Sequence, residues 1–195
     1  MANKYIKPNR SKLVFGVGVN DVLIPGFSKT KIYRKWVDLI RRCHDPRWWV
    51  KWPGYRDCTM AEEWLYLSNF KEWVETWDDW ETKELDKDVL IPGNKHYGPQ
   101  TCLMVNRYIN GGFRPSDVEG CKGDTSLPRG VSRKNGKYRA QINIIGGRKR
   151  QHLGLFDTPE QASVVFEQAR KEQIKVLLDQ ETDKRVINAL RQYLR

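Results

Sequence analysis

The stretch 129–162 reads RGVSRKNGKYRAQINIIGGRKRQHLGLFDTPEQA and decides the fold of the carboxyl-terminal part of the chain. Two turn signals, Asn135-Gly136 and Gly146-Gly147, separate three runs rich in β-branched and aromatic residues. These runs predict antiparallel strands at 129–132, 138–145 and 150–156. A helix is then predicted from Thr158 onwards, because Thr158 can cap it, Pro159 suits the first helical position and Glu160 favours the positive end of the helix dipole.

The predicted helix after Thr158 has one apolar side. Its stripe consists of Ala162, Val165, Phe166, Ala169, Ile174, Leu177 and Leu178. Such a stripe can cover one face of a small sheet. A second amphipathic helix is predicted over 184–194. The sequence therefore predicts a three-stranded antiparallel sheet that is backed by a helix.

Alternation along the middle strand sorts polar and apolar side chains onto opposite faces. One face carries Arg139, Gln141 and Asn143, and the other carries Tyr138, Ala140, Ile142 and Ile144. Arg129, Arg150 and His152 can join the polar face from the neighbouring strands. Arginine and the carboxamides are the side chains that recognise base edges and phosphates, so this face suits DNA reading.

The net charge of +11 is concentrated in the same region. The range 126–156 holds eight basic residues and no acidic one; they are Arg129, Arg133, Lys134, Lys137, Arg139, Arg148, Lys149 and Arg150. A solvated surface without a partner usually mixes charges of both signs. The excess favours a polyanionic partner, of which nucleic acid is the commonest, although a solubilising face is the alternative.

Four collinear motifs match one family of DNA-binding domains. They are RGV at 129–131, GKY at 136–138, AQI at 140–142 and LGLFDTPEQA at 153–162. They resemble the APETALA-type (ethylene-response-factor) DNA-binding domain, and this resemblance implies a sheet lying in the major groove. Ser132 and Asn143 replace arginines of the family and His152 replaces a tryptophan, so the family's sequence preference is not carried over. The predicted DNA-binding residues are Arg129, Arg133, Lys134, Lys137, Arg139, Gln141, Asn143, Arg148, Arg150 and His152.

The amino-terminal part has an aromatic core of its own, since all eight tryptophans lie between Trp36 and Trp80. Apolar residues at helical spacing predict helices at 31–43 and 60–76. Trp48, Trp49 and Trp52 fall in a predicted basic loop and are candidates for stacking on a nucleic acid or another partner. The Gly- and Pro-rich stretch before residue 129 predicts a linker. The expected class is α+β, with domains at 1–117 and 129–195 and a linker at 118–128.

The segment 85–105, LDKDVLIPGNKHYGPQTCLMV, combines turn residues with chemically active side chains. It is predicted to form a strand, a turn and another short element. Asp86, Asp88 and His96 can bind a divalent ion, because hard cations prefer carboxylate oxygens. An ordered polar loop without a metal is the other interpretation of the same composition.

Motifs spread over most of the chain match a second family. They are GVGVND at 16–21, YRKW at 33–36, RC at 42–43, EW at 63–64, SNFKEW at 68–73, LDKD at 85–88, GNK at 93–95 and YGPQTC at 97–102. In this order they resemble phage-encoded HNH-type endonucleases, which often carry an APETALA-type domain at the carboxyl end. The resemblance implies an HNH-like (ββα-metal) domain.

The HNH-type resemblance assigns roles to individual residues of this segment. Asp86 matches the metal ligand and Asn94 the residue that stabilises the turn. Lys87 stands at the position of the general base, and Thr101 at that of the last ligand. A lysine is normally protonated at pH 7 and cannot accept a proton, so His96 is the alternative base or ligand, with Asp88 as a replacement ligand.

These observations predict a phage-type DNA-binding protein, with cleavage of duplex DNA by an HNH-type endonuclease that uses Mg²⁺ or Mn²⁺. The first alternative is a catalytically degenerate protein that acts as a DNA-binding regulator or targets a host protein complex. The second is an adaptor that binds RNA or protein through its tryptophans. The four cysteines lack a CxxC pair, which argues against zinc and for reduced thiols. No apolar run is long enough for a membrane span. With the phage-type resemblance, this implies the cytoplasm of an infected bacterial host as the expected location.

Overall fold

The computed structural model describes residues 13–112, 126–144 and 149–194. Its mixed helices and strands confirm the α+β class. The described helices are α1 (Lys31–His44), α2 (Pro46–Lys51), α3 (Leu67–Glu75), α4 (Arg107–Gly112), α5 (Pro159–Gln180) and α6 (Lys184–Arg191). The described strands are β1 (Thr59–Met60), β2 (Glu84–Asp86), β3 (His96–Tyr97), β4 (Leu103–Val105), β5 (Val131–Lys134), β6 (Lys137–Asn143) and β7 (Arg150–Phe156).

The chain forms two compact units. The first unit comprises 1–87 and 94–104, and the second comprises 88–93 and 105–195. Most of the predicted linker at 118–128 lies outside the described residues. In the described ranges, no helix combines the length and apolar character that crossing a membrane requires.

Helix α1 supplies much of the core of the first unit. Thr30 caps the helix by accepting a hydrogen bond from the backbone of Tyr33 at 3.2 Å. Its buried side is Ile32, Trp36, Leu39, Ile40 and Cys43, spaced at helical intervals. The indole of Trp36 donates to the carbonyl of Trp64 at 2.8 Å, so this fully buried side chain also satisfies its polar atom.

The predicted basic loop around Trp48 and Trp49 is wrong in its secondary structure, because these residues belong to α2. The carboxylate of Asp45 accepts a hydrogen bond from the backbone of Arg47 at 3.0 Å and caps the helix. Pro46 occupies the first helical position, where its missing N–H costs nothing. The Asp45-Pro46 pair therefore starts a helix at a point where the sequence predicted a loop.

The predicted helix at 60–76 is too long. Residues Glu62–Leu65 form a 3-10 turn, Tyr66 is extended, and α3 begins only at Leu67. Val19 explains the break, because its N–H donates to the carbonyl of Leu65 at 2.8 Å and its carbonyl accepts from Leu67 at 3.0 Å. This pairing uses backbone groups that a continuous helix would need for itself.

The second unit contains the predicted three-stranded antiparallel sheet, in the order β5-β6-β7. Asn135 and Gly136 connect β5 to β6 with φ angles of +51° and +74°, as a type I′ hairpin turn requires. The first predicted strand, at 129–132, is displaced by two residues. Gly130 adopts a φ of +73° and turns the chain, with the N–H of Val131 bonded to the carbonyl of Pro128 at 3.1 Å.

The middle strand ends at Asn143, and Ile145 of the prediction 138–145 lies outside the described residues. Helix α5 packs against the sheet, and its cap is as predicted: the Thr158 hydroxyl accepts from the backbone of Gln161 at 3.2 Å. The second predicted helix, at 184–194, ends earlier as α6, and Gln192–Leu194 form a 3-10 turn. Helix α5 thus covers the apolar face of the sheet, and α6 and the 3-10 turn pack against α5.

The 3-10 turn at the carboxyl end of the second unit holds the loop 88–93. The carboxamide of Gln192 donates to the carbonyls of Val89 at 2.8 Å and Leu90 at 3.2 Å. The hydroxyl of Tyr193 donates to the carbonyl of Val89 at 3.0 Å. Val89 is fully buried, so a short segment of the predicted nuclease motif is part of the second unit's interior.

Candidate nucleic-acid interface

The two faces of the sheet differ as the alternation predicts. Ala140 and Ile142 of β6 are buried on the side of α5. Arg139, Gln141 and Asn143 lie on the opposite side and are partly or fully exposed. This opposite side of the sheet is called the open face below.

The register of β6 and β7 brings two further predicted residues to the open face. Asn143 lies opposite Arg150, and Gln141 lies opposite His152. Directly opposed residues share a face of an antiparallel sheet, so the four side chains form two neighbouring cross-strand pairs. Exposed Arg150 and His152 leave their cationic or imidazole groups available on this face.

The sequence analysis missed Leu155 and assigned no site role to Ser132. The register shifts between Ala140 and Gln141, so β7 has a bulge, and Arg139 is paired with Leu155 rather than continuing the simple alternation. Leu155 is therefore on the open face, and 45% of it is exposed. Strict alternation cannot locate a bulge, although Gly154, with a φ of +143°, is a residue type that permits one.

Hydrogen bonds between side chains orient the cations of the open face. Arg139 Nε donates to Ser132 Oγ at 3.3 Å, and Gln141, with its oxygen towards the guanidinium, accepts from Arg139 Nη2 at 2.8 Å. Arg150 Nε donates to Asn143 Oδ1 at 3.2 Å. Neutral partners restrict the two guanidinium groups without neutralising them, so both charges are retained for a ligand.

Of three other predicted residues, Lys134 and Lys137 lie on the open-face side at the hairpin, and Arg133 lies on the opposite side. Lys134 and Lys137 are paired where β5 and β6 meet, and Lys137 Nζ lies 3.1 Å from the carboxylate of exposed Asp157. Arg133 shares the face of Tyr138, whose hydroxyl lies 3.4 Å from its Nη1. Arg133 therefore lies on the face opposite to that of Arg139, whose cross-strand partner is Ser132.

The predicted contacts Arg129 and Arg148 are not part of the described strands. Arg129 precedes β5 and is half-buried, so its predicted position on the first strand is wrong. The turn at Gly130 separates it from the regular alternation. Arg148 lies outside the described residues. The open face consequently consists of Arg139, Arg150 and their polar neighbours, with Lys134 and Lys137 at its hairpin end.

The predicted nuclease residues occupy a compact turn of the first unit, and Asn94 joins its parts. The Asn94 carboxamide donates to the carbonyls of Lys87 at 3.1 Å and His96 at 2.6 Å, and its oxygen accepts from the His96 N–H at 2.9 Å. Asp86 and Lys87 are buried, with 6% and 8% of their surface exposed. Lys87 Nζ lies 6.0 Å from the centroid of the Tyr97 ring.

His96 is bonded through one nitrogen of its ring. Its Nδ1 lies 2.9 Å from Thr59 Oγ1. Its Nε2 faces Gly98, where an added Cβ would lie 3.2 Å from it. Thr101, the predicted last ligand, donates its hydroxyl to the carbonyls of His96 at 2.8 Å and Gly98 at 3.3 Å. These contacts stabilise the turn at 96–101.

The predicted metal ligands are Asp86, Asp88 and Thr101, with His96 as the alternative. In the described parts of the chain, no three histidine, cysteine, aspartate or glutamate side chains are grouped so that they could hold a metal ion. Hard cations require several oxygen ligands, and the Thr101 hydroxyl is already bonded to carbonyls.

Buried ionisable groups surround this turn but do not form a nucleophile. Burial raises the pKa of Cys43 and of Cys102 to about 12, so both thiols are protonated at neutral pH. Burial also raises the pKa of the Tyr97 phenol, against the opposing effect of Arg42 beside it. The arrangement is that of a packed interior, in which neutral forms are favoured.

No family model matches the chain, and no curated protein and no solved structure is significantly similar to it.

Proposed function

We propose that this protein binds duplex DNA and that the open face is its contact surface. The observation that carries the proposal is the pair of braced guanidinium groups, Arg139 and Arg150, on a sheet face whose strands contain no acidic residue. The APETALA-type motifs support it independently, since the family implied by them uses a three-stranded sheet in the major groove.

The chemistry of the open face suits groove contacts. Each arginine can bind a phosphate or a guanine edge through two parallel hydrogen bonds, and Gln141 and Asn143 can pair with an adenine edge. Leu155 adds an apolar group beside Arg139, of the kind that contacts a thymine methyl. Because the arginines are already oriented, binding orders fewer side-chain rotations and costs less conformational entropy.

Titration of duplex DNA with the protein and with arginine-to-alanine variants tests this proposal. The double variant Arg139→Ala, Arg150→Ala should lower affinity at least tenfold. It should also reduce the slope of log K against log salt by about 1.8, because each arginine that binds a phosphate contributes about 0.9 to that slope. Arg133→Ala is the control on the opposite face and should change affinity less than twofold. If Arg133→Ala lowers affinity as much as Arg139→Ala or Arg150→Ala does alone, net charge by itself drives binding.

Cleavage of DNA is a second candidate function. The bonds of Asn94 to Lys87 and His96 favour it, because the HNH-type resemblance assigns a turn-stabilising role to this asparagine. Burial of Asp86 and the contacts of His96 favour binding without cleavage, as in a DNA-binding regulator. Supercoiled plasmid incubated with Mg²⁺ or Mn²⁺ separates the two: nicking that is abolished in Asp86→Ala and His96→Ala establishes cleavage, and intact plasmid at high protein excess supports the regulator.

A further inference from the structure

A second cationic surface lies on the first unit, at α2 and the residue that follows it. Two large hydrophobic residues of this surface are exposed: Trp52 to 48% and Val50 to 82%. The side chain of Arg47 is 92% exposed, and Lys51 is exposed beside the tryptophan. Arg47, Val50, Lys51 and Trp52 are called the Trp52 surface below. A tryptophan that is exposed beside cations is a candidate site for a ligand, because its ring offers a large flat face for stacking.

Ring contacts behind Trp52 hold it in place. The ring centroids of Trp48 and Trp52 are 6.1 Å apart, and the Arg41 guanidinium lies 4.2 Å from the centroid of the Trp48 ring. The indole of Trp49 donates to the carbonyl of Arg42 at 2.8 Å. Trp48 and Trp49 therefore anchor α2 to α1, and Trp52 is presented on a rigid base.

The electrostatics of the Trp52 surface favour an anionic ligand. The range 29–56 contains nine basic and two acidic residues. Both acids are already engaged: Asp38 pairs with Arg41, and Asp45 caps α2 and lies 3.7 Å from Arg47 Nε. Lys51 Nζ lies 5.8 Å from the centroid of the Trp52 ring, so a cation and an aromatic face are offered side by side.

We propose that the Trp52 surface binds an unpaired segment of nucleic acid, with one base stacked on Trp52 and the adjoining phosphates bound by Arg47 and Lys51. Unpaired bases expose the π-face that stacking requires, whereas a duplex conceals it within its own stack. Proteins that bind single-stranded nucleic acids combine aromatic side chains, which stack on bases, with cationic side chains, which bind phosphates. The Trp52 surface and the open face thus bind different forms of nucleic acid.

Fluorescence anisotropy of dye-labelled oligo(dT) with the full-length chain tests the proposal. Trp52→Ala should weaken binding about 5- to 100-fold, as expected when one base is no longer stacked, and Trp52→Phe should recover part of it. Arg47→Ala with Lys51→Ala should weaken binding and flatten its salt dependence. Lys29→Ala is the control for removal of a charge from the same basic range, and it should change affinity less than twofold.

Duplex binding by the same variants separates this proposal from that for the open face. Trp52→Ala should leave duplex affinity within twofold of the unmodified protein, and Arg139→Ala with Arg150→Ala should leave oligo(dT) affinity within twofold. If the protein does not bind duplex DNA but binds oligo(dT) through Trp52, the proposal for the open face is wrong and the proposal for the Trp52 surface stands. Absence of oligo(dT) binding, or binding that Trp52→Ala does not weaken, overturns the proposal. Polyglutamate binding as strong as oligo(dT) binding also overturns it, because any polyanion would then suffice.

Discussion

Replacing Gly130 by alanine tests how closely the segment before β5 packs against α5 in the second unit. Gly130 combines a φ of +73° with close packing on the ring of Phe166. A Cβ at this position would lie 2.1 Å from Cδ2 and 2.2 Å from Cε2 of Phe166, which is only 5% exposed. The substitution therefore imposes both a backbone cost and a packing cost.

The two costs can be calculated separately. An L-residue in the left-handed region loses about 1–2 kcal/mol, and an added methyl group in a packed core costs about 1–3 kcal/mol. Ordinary contact begins at 3.4 Å, so the buried ring would have to move by more than 1 Å. The expected loss in the free energy of unfolding for Gly130→Ala is therefore about 2–5 kcal/mol.

Gly136→Ala is the matched control. Gly136 has a φ of +74°, but a Cβ added there meets nothing within 4 Å. Its cost should be the backbone term alone, about 1–2 kcal/mol. The loss of unfolded-state entropy on replacing glycine by alanine is common to both variants and cancels in the difference, which should be about 1–3 kcal/mol.

Urea denaturation followed by far-ultraviolet circular dichroism measures both variants. Tryptophan fluorescence follows the first unit separately, because all eight tryptophans lie there between Trp36 and Trp80, whereas Gly130 and Gly136 lie in the second unit. Phe166→Leu in combination with Gly130→Ala should reduce the cost of the glycine substitution, since a smaller side chain leaves room for the methyl group. Equal destabilisation by Gly130→Ala and Gly136→Ala would refute the packing argument.

The remaining predictions concern the first unit. Asn94→Ala removes three hydrogen bonds and should lower stability by about 2–3 kcal/mol in urea denaturation followed by tryptophan fluorescence; an unchanged midpoint would show that the turn does not depend on it. Burial lowers the pKa of His44 from 6.5, so the unfolded chain takes up the proton first and stability falls as the pH drops below 6.5. His44→Gln should reduce the difference between the melting temperatures at about pH 7.5 and about pH 5.5. Cys43 and Cys102, with pKa values of about 12, should resist a thiol reagent at about pH 8 until urea is added, as peptide mass spectrometry can establish.

Local signals predicted most of the second unit. The Asn135-Gly136 turn and the cap at Thr158 depend on residues that are near one another in sequence, and the structure has both. The predicted strand at 129–132 is displaced because Gly130 forms a turn instead of extended backbone. A glycine at this position suits either conformation, and the close approach to Phe166, which is distant in sequence, goes with the turn. The bulge in β7 has no comparable signal, so the face of Leu155 could not be predicted.

The candidate sites depended more on distant contacts. The break before α3 arises from Val19, which lies far from it in sequence. The contact of His96 with Thr59 likewise joins residues 37 positions apart, and the sequence of the loop alone cannot reveal it. Trp48, Trp49 and Trp52 were selected together as stacking candidates, and only the helix α2 shows that Trp52 is exposed while Trp48 and Trp49 are half-buried.

The attachment of loop 88–93 to the carboxyl end of the chain has a consequence for biosynthesis. Gln192 is added to the growing polypeptide 103 residues after Val89. At about 5–20 residues per second, a ribosome needs about 5–20 s to cover that distance. During this interval the carbonyls of the loop lack their final donors, so the loop can reach its native state only late in translation. A nascent chain stalled before Gln192 should accordingly be cut by protease within 88–93, where the finished protein is protected.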